Sequence, residues 1–242
     1  MQPNKRTLHE FIFRTDGYFQ IPDFQRPYTW EGYQIDTFLS DLEKVVNKQN
    51  THYFGTVVLV KEGDHSVIID GQQRLTTSLL LITAIYHILQ NNPEKSTNYT
   101  YDRIKEQYLV NTYSSNAANR NRITLRTVTT DNNVLEKIFN GSALDSNDRA
   151  NKLFKAYTRF LTFLSTKDNV DIYIDSLKKF EIVEIVLDKN DDNPQLVFEN
   201  INSTGEPLSA GDKIRNWALM LNNEDARNLV YTVLCSNLRK KY

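Results

Sequence analysis

The sequence predicts an α+β fold: a small mixed sheet with a large helical insertion and a helical C-terminal part. Three observations predict it. Short apolar runs bounded by glycine or proline recur within residues 1–90, at Tyr18–Ile21, Gly55–Lys61 and Ser66–Ile69. Residues 91–179 read as helical, with polar loops at Ser114-Ser115-Asn116 and Gly141–Asp145. A last run, Phe180–Leu187, alternates in part and reads as a strand returning to the sheet.

The elements follow in order. Tyr18–Ile21 is a strand that Pro22 ends. Pro27 stiffens the next loop and biases Arg26 toward an extended backbone. Thr29 is placed to cap a helix with Glu31 in its first turn. Ile35, Phe38, Leu39, Leu42, Val45 and Val46 mark one face of that helix. Glu62-Gly63-Asp64-His65 is a hairpin connection between two strands. The helix from Leu75 to Leu89 is apolar on nearly every face, so it is expected to be buried. Leu153, Phe154, Tyr157, Phe160, Leu161 and Leu164 form the face of a later helix. The expected organisation is an α/β core over 1–90, a helical insertion over 91–179, and a returning strand with a polar loop and helices over 180–242.

Composition narrows the function classes. Lys and Arg number 29 against 30 Asp and Glu, a net charge of −1 that gives no overall pull toward a polyanion. Arg120, Arg122 and Arg126 form a local cluster, as do Arg239–Lys241, and a solvated surface is favoured for both. The single cysteine, Cys235, excludes an internal disulfide and agrees with a cytoplasmic location. No run approaches membrane-spanning length, so no membrane partner is expected. The four histidines, His9, His52, His65 and His87, are scattered, and no metal-ligating set is expected.

The chemistry concentrates in three polar segments. Asp70-Gly71-Gln72-Gln73-Arg74 falls between the apolar run Val67–Ile69 and the buried helix. A strand, a glycine and a helix start place unpaired N–H groups at a fixed point, where the helix dipole favours anions and phosphates above all. Arg74 adds a permanent charge with a fork of donors. Gln72 and Gln73 can each donate and accept. Asp70 is suited to orient Arg74 or to hold a metal–phosphate complex. A bare tight turn also explains such a corner. The second segment, Ile21–Trp30, holds Gln25 and Arg26 in a rigid loop anchored by Tyr28 and Trp30. Neighbouring strands are expected to bring this loop beside the corner. The third, Asn202-Ser203-Thr204-Gly205, is a run of small polar groups between two helical patterns.

The order Ile-Pro-x-x-Gln-Arg-x-Tyr-x-Trp, Asp-Gly-Gln-Gln-Arg-Leu-Thr-Thr, Phe-Glu-x-x-Asn-Ser-Thr-Gly-x-Pro-Leu resembles the N-terminal domain of the GmrSD family of modification-dependent (type IV) restriction systems. His52–Leu59 fits the family's strand after the first helix, and the likeness spans Leu8 to Leu221. The resemblance implies a ParB- and sulfiredoxin-like core, and a motif tied to nucleotide binding and hydrolysis. It also implies a separate HNH-type nuclease that cuts the DNA, so this chain is expected to be a fragment or subunit without it. On that reading Asp70, Gln73 and Arg74 are the catalytic candidates. Gln25, Arg26, Gly71, Gln72, Asn202, Ser203, Thr204 and Gly205 bind GTP or ATP with Mg²⁺. The partners are modified DNA and the nuclease, in an anti-phage defence system. No Gly-Lys-Ser/Thr P-loop is present, so any NTP hydrolysis uses another architecture. The alternatives are a non-catalytic module that recognises modified DNA and, ranked after it, a ParB-like nuclease.

Overall fold

The computed structural model describes residues 2–13, 17–22, 25–48, 50–111, 121–125 and 131–188. The Asn202–Gly205 loop, the C-terminal helical patterns, Arg120, Arg126 and the Ser114–Asn116 loop lie outside them.

Six strands form one mixed sheet: β1 (Gln2–Thr7), β2 (Tyr18–Ile21), β3 (His52–Glu62), β4 (His65–Asp70), β5 (Ile123–Leu125) and β6 (Phe180–Leu187), in the order β1-β6-β3-β4-β2-β5. The fold is α+β. β4, β2 and β5 run parallel to one another, as do β3 and β6, while β3 and β4 are antiparallel. Glu62 pairs with His65, so Gly63-Asp64 is the two-residue hairpin turn, with Gly63 at φ 60°.

Two strands differ from the expectation. β1 joins the edge beside β6 although its sequence is polar, because cross-strand pairs Lys5–Glu181 at 2.8 Å and Arg6–Glu184 at 2.5 Å hold it there. β5 falls inside the stretch read as helical and pairs with β2. Arg122, next to β5, is also not a surface cation. It is buried and donates to the Gly17 carbonyl at 2.9 Å and the Val110 carbonyl at 2.9 Å. Two long-range backbone carbonyls hold it, which no local charge pattern reveals.

The sheet's two faces follow from the alternation of β3. Val57 and Leu59 point into the main core, and Val58 and Val60 into a smaller cluster with Val67, Ile69 and Leu187. Helix α1 (Leu8–Ile12) carries a Thr7 capping box. Helix α2 (Gly32–Lys48) buries Ile35, Phe38, Leu39, Leu42 and Val45. Phe38 is its anchor, meeting Phe54, Phe160 and Phe180 at 5.3, 5.9 and 5.9 Å between ring centres. Helix α3 (Gln72–Asn91) is buried on nearly all sides, as its all-round apolarity predicts. Two short helical turns, α4 (Tyr101–Ile104) and a widened turn at Lys105–Leu109, precede β5. Helices α5 (Asp131–Asn140), α6 (Ser146–Ala150), α7 (Lys152–Ser165) and α8 (Asp171–Ser176) complete the described chain. α7 buries Leu153, Tyr157, Phe160 and Leu164 as expected. Among the described residues no helix is long and apolar enough to cross a membrane.

The start of α2 is corrected. The helix begins at Gly32, and the Ile35 N–H donates to the Glu31 carbonyl at 3.0 Å. Thr29 is therefore not the cap, and Glu31 flanks the helix instead of sitting in its first turn. The Gln34 side chain accepts from the Glu31 N–H at 3.1 Å, and Thr29 is drawn to Gln73.

Candidate functional site

β4, β2 and β5 are parallel, so the loops leaving their carboxyl ends share one edge of the sheet. In open sheets with parallel strands, that edge is where ligands are commonly held. Both the Ile21–Trp30 loop and the Asp70–Arg74 corner lie there. Gln25 donates from Nε2 to the Ile69 carbonyl, the last residue but one of β4, at 2.7 Å. The Gln25 side chain is 1 % exposed, and its Oε1 has no partner.

Gly71 makes the corner possible. Its φ is 93°, and a β-carbon there would lie 3.0 Å from Val57 Cγ2 and 3.1 Å from the Thr56 carbonyl oxygen. Only glycine takes this conformation without strain while seated so close to β3. α3 starts at once. The Leu75 N–H donates to the Gly71 carbonyl at 3.0 Å, and no side chain caps the first turn. No acidic residue occupies that turn either. An uncapped N-terminus of a long helix retains donors and partial positive charge.

The two motif residues after Gln72 reach in opposite directions along the sheet. Gln73 serves the β2 side. Its Oε1 accepts the Thr29 N–H at 2.8 Å and its Nε2 donates to the Pro27 carbonyl at 3.0 Å. Both ends of this amide are thus committed to the loop. Tyr28 adds a third tie, its hydroxyl 2.8 Å from Thr77 Oγ1, and burial pushes its phenol well above the usual range. Asp131, at the start of α5, accepts the Tyr28 N–H at 3.2 Å and Asn151 Nδ2 at 2.8 Å. This buried carboxylate is a part of the site that the sequence reading missed. Its only local signal is an acidic residue at a helix start.

Arg74 serves the β3 side. Its Nη2 donates to the Thr56 carbonyl at 2.6 Å and reaches Asp70 Oδ2 at 3.4 Å. Asp70 therefore stands beside Arg74. The Arg74 side chain is 30 % exposed and that of Asp70 19 %, yet Arg74 Nε is buried and has no partner. A partly exposed guanidinium with a donor unmet, carried in the first turn of an uncapped helix, suits an anion.

Arg26, Gln72, Gln73, Tyr28, Thr76 and Asp131 line a crevice of about 10 Å³, room for about one water. The structure thus brings Gln25, Arg26, Gly71, Gln72, Gln73, Arg74 and Asp70 to one end of the sheet. Asp70, Gly71 and Arg74 are not among the residues that line this crevice. Asn202, Ser203, Thr204 and Gly205 lie outside the described residues. A larger cavity of about 730 Å³ lies between the start of α2 and α7, with Trp30, Ile35 and Phe163 among its walls. Three cations line it, of which Lys152 is paired with Glu31 and Arg159 with Asp36, and Lys155 is the third.

The histidines take no part in this group. His9 bonds Tyr108 and His87 bonds Tyr157, and burial lowers the pKa of both. His52 lies beside Asp41, and His65 beside Asp64 and against the Tyr18 ring. Among the described residues no three His, Cys, Asp or Glu side chains gather to hold a metal ion.

The family model for the GmrSD restriction endonuclease N-terminal domain matches residues 8–219, a span that contains the corner, the loop and all but the first strand. The chain belongs to the GmrSD N-terminal domain family. Comparison with curated protein sequences finds no match. As a GmrSD N-terminal domain the chain is a component of a restriction system.

Proposed function

We propose that this GmrSD N-terminal domain is a nucleotide-binding, NTP-hydrolysing sensor module. It regulates a separate nuclease domain or subunit within a modification-dependent, anti-phage restriction system. One observation carries the reading: Arg74, whose buried Nε has no partner, stands in the uncapped first turn of α3. Phosphoryl transfer needs chiefly charge neutralisation and positioning, and these groups supply both.

Each residue has a task in this reading. The N–H groups that open α3 receive phosphate oxygens, and Gly71 lets the chain turn into α3 while seated against β3. Arg74 neutralises charge on the triphosphate, and Asp70 together with the Thr56 carbonyl holds its guanidinium. Magnesium is held mainly by the phosphates of an NTP and needs only one or two protein carboxylates, where it offsets phosphate charge. Asp70 would be the carboxylate to hold it, offsetting phosphate charge together with Arg74. Gln73 and Gln25 fix the loop that carries Arg26, so Gln73 positions rather than activates. Asn202, Ser203, Thr204 and Gly205 are assigned to the remainder of the nucleotide. The DNA partner carries the modification, and the cut is made elsewhere.

Phosphate release from GTP and from ATP by the purified chain tests this, with modified and unmodified plasmid present or absent. The expected result is hydrolysis that DNA alters, with the plasmid intact. DNA binding without hydrolysis would replace the reading with a non-catalytic recognition module. Metal-dependent nicking that disappears in Asp70→Ala would replace it with a nuclease.

A further inference from the structure

We infer that Gly55 is a positioning residue for Arg74: a backbone notch in β3 that sets where the guanidinium stands. The inference rests on the reading of the Asp70–Arg74 edge as a phosphate site.

β3 does not run regularly past this point. Its pairing with β6 shifts between Tyr53 and Gly55, so one extra residue is accommodated there. The consequence is visible in the faces. Phe54 and Val57 are three apart and would point to opposite sides of a regular strand, yet both pack into the main core. Such a bulge re-aims the backbone, and it does so where Arg74 crosses. The next carbonyl, that of Thr56, is the one that accepts from Arg74.

Gly55 has φ 120°, a conformation that L side chains rarely adopt. A β-carbon there would lie 3.0 Å from Arg74 Nε, 3.1 Å from Cζ and 3.4 Å from Nη1. These atoms are the charged end of Arg74, and Nε is the donor left without a partner. A methyl group at position 55 therefore meets the group assigned to phosphate. The guanidinium must then give by a few tenths of an ångström, in a position fixed by the Thr56 carbonyl on one side of it. Gly71 is seated against the next two residues of β3, where a β-carbon would meet Val57 Cγ2 and the Thr56 carbonyl oxygen that accepts from Arg74. The corner and the bulge interlock through two glycines with positive φ. The bulge glycine acts on the ligand only through Arg74.

A double-mutant cycle separates this role from simple strain. Gly55→Ala, Arg74→Ala and the double variant are compared with wild type for affinity to a non-hydrolysable GTP analogue and for stability in urea. The strain of alanine at φ 120° is present in both backgrounds and cancels in the cycle. The expected result is an affinity loss of about tenfold or more for Gly55→Ala when Arg74 is present, and no further loss when Arg74 is absent. The stability cost of Gly55→Ala is expected to shrink in the Arg74→Ala background, since the clash is gone. If Gly55→Ala alone does not fold, a folded double variant shows the same coupling. Equal effects of Gly55→Ala in both backgrounds, or none in either, would overturn the inference. Absence of analogue binding by the wild type would instead overturn the phosphate-site reading, while the urea cycle would still test the notch.

Discussion

Arg74→Ala is expected to weaken triphosphate binding by about 1.5–3 kcal/mol, the scale of a lost charge-assisted contact. That corresponds to roughly ten- to a hundredfold in affinity. The fold should survive, because the Arg74 side chain is partly exposed and the apolar faces of α3 do not depend on it. The loss leaves the Thr56 carbonyl without this donor at the edge of the site, a local cost only. Calorimetry with GTP and ATP measures the change, and circular dichroism checks the fold. An unchanged affinity in a folded variant would remove Arg74 from the site.

Gln73→Ala is expected to act on the fold first. The Gln73 side chain is buried, and it joins the Thr29 N–H and the Pro27 carbonyl to α3. Truncation leaves two backbone groups without this partner, each worth about 1–3 kcal/mol where buried. A loss of about 2–4 kcal/mol in urea unfolding is expected, since part of the loop is open to water. The Arg26 loop loses its register with the corner, so nucleotide affinity falls as a consequence. Gln73→Glu keeps the acceptor for Thr29 but not the donor for Pro27, and should lie between the two. Wild-type stability combined with abolished hydrolysis would assign Gln73 to the reacting phosphate instead.

The corner was readable because its signals are local. An apolar run, a glycine and an all-apolar helix specify β4, Gly71 and α3 with no knowledge of the rest of the chain. The helical faces of α2 and α7 were readable for the same reason, periodicity alone. What escaped depends on distant partners. β1 is polar and becomes a strand through ion pairs with residues near position 182. β5 is three residues long and exists because β2 offers it an edge. Thr29 looks like a cap, but Gln73 claims its N–H across 44 residues. Arg122 looks like part of a solvated basic cluster, but the Gly17 and Val110 carbonyls bury it. Gly55 did carry a local signal, since an isolated glycine within a strand pattern often marks a bulge or a close approach. What that glycine faces could be known only once β3 and α3 were side by side.

The most direct test is a crystal structure of the chain with Mg²⁺ and a non-hydrolysable GTP or ATP analogue. The account predicts the phosphates at the first turn of α3, within hydrogen-bond reach of the Arg74 guanidinium and the Gln72–Arg74 backbone N–H groups. The Gly71 backbone should keep its positive φ. Phosphates seated instead in the cavity between α2 and α7, or an analogue that makes no contact with Arg74, would contradict it.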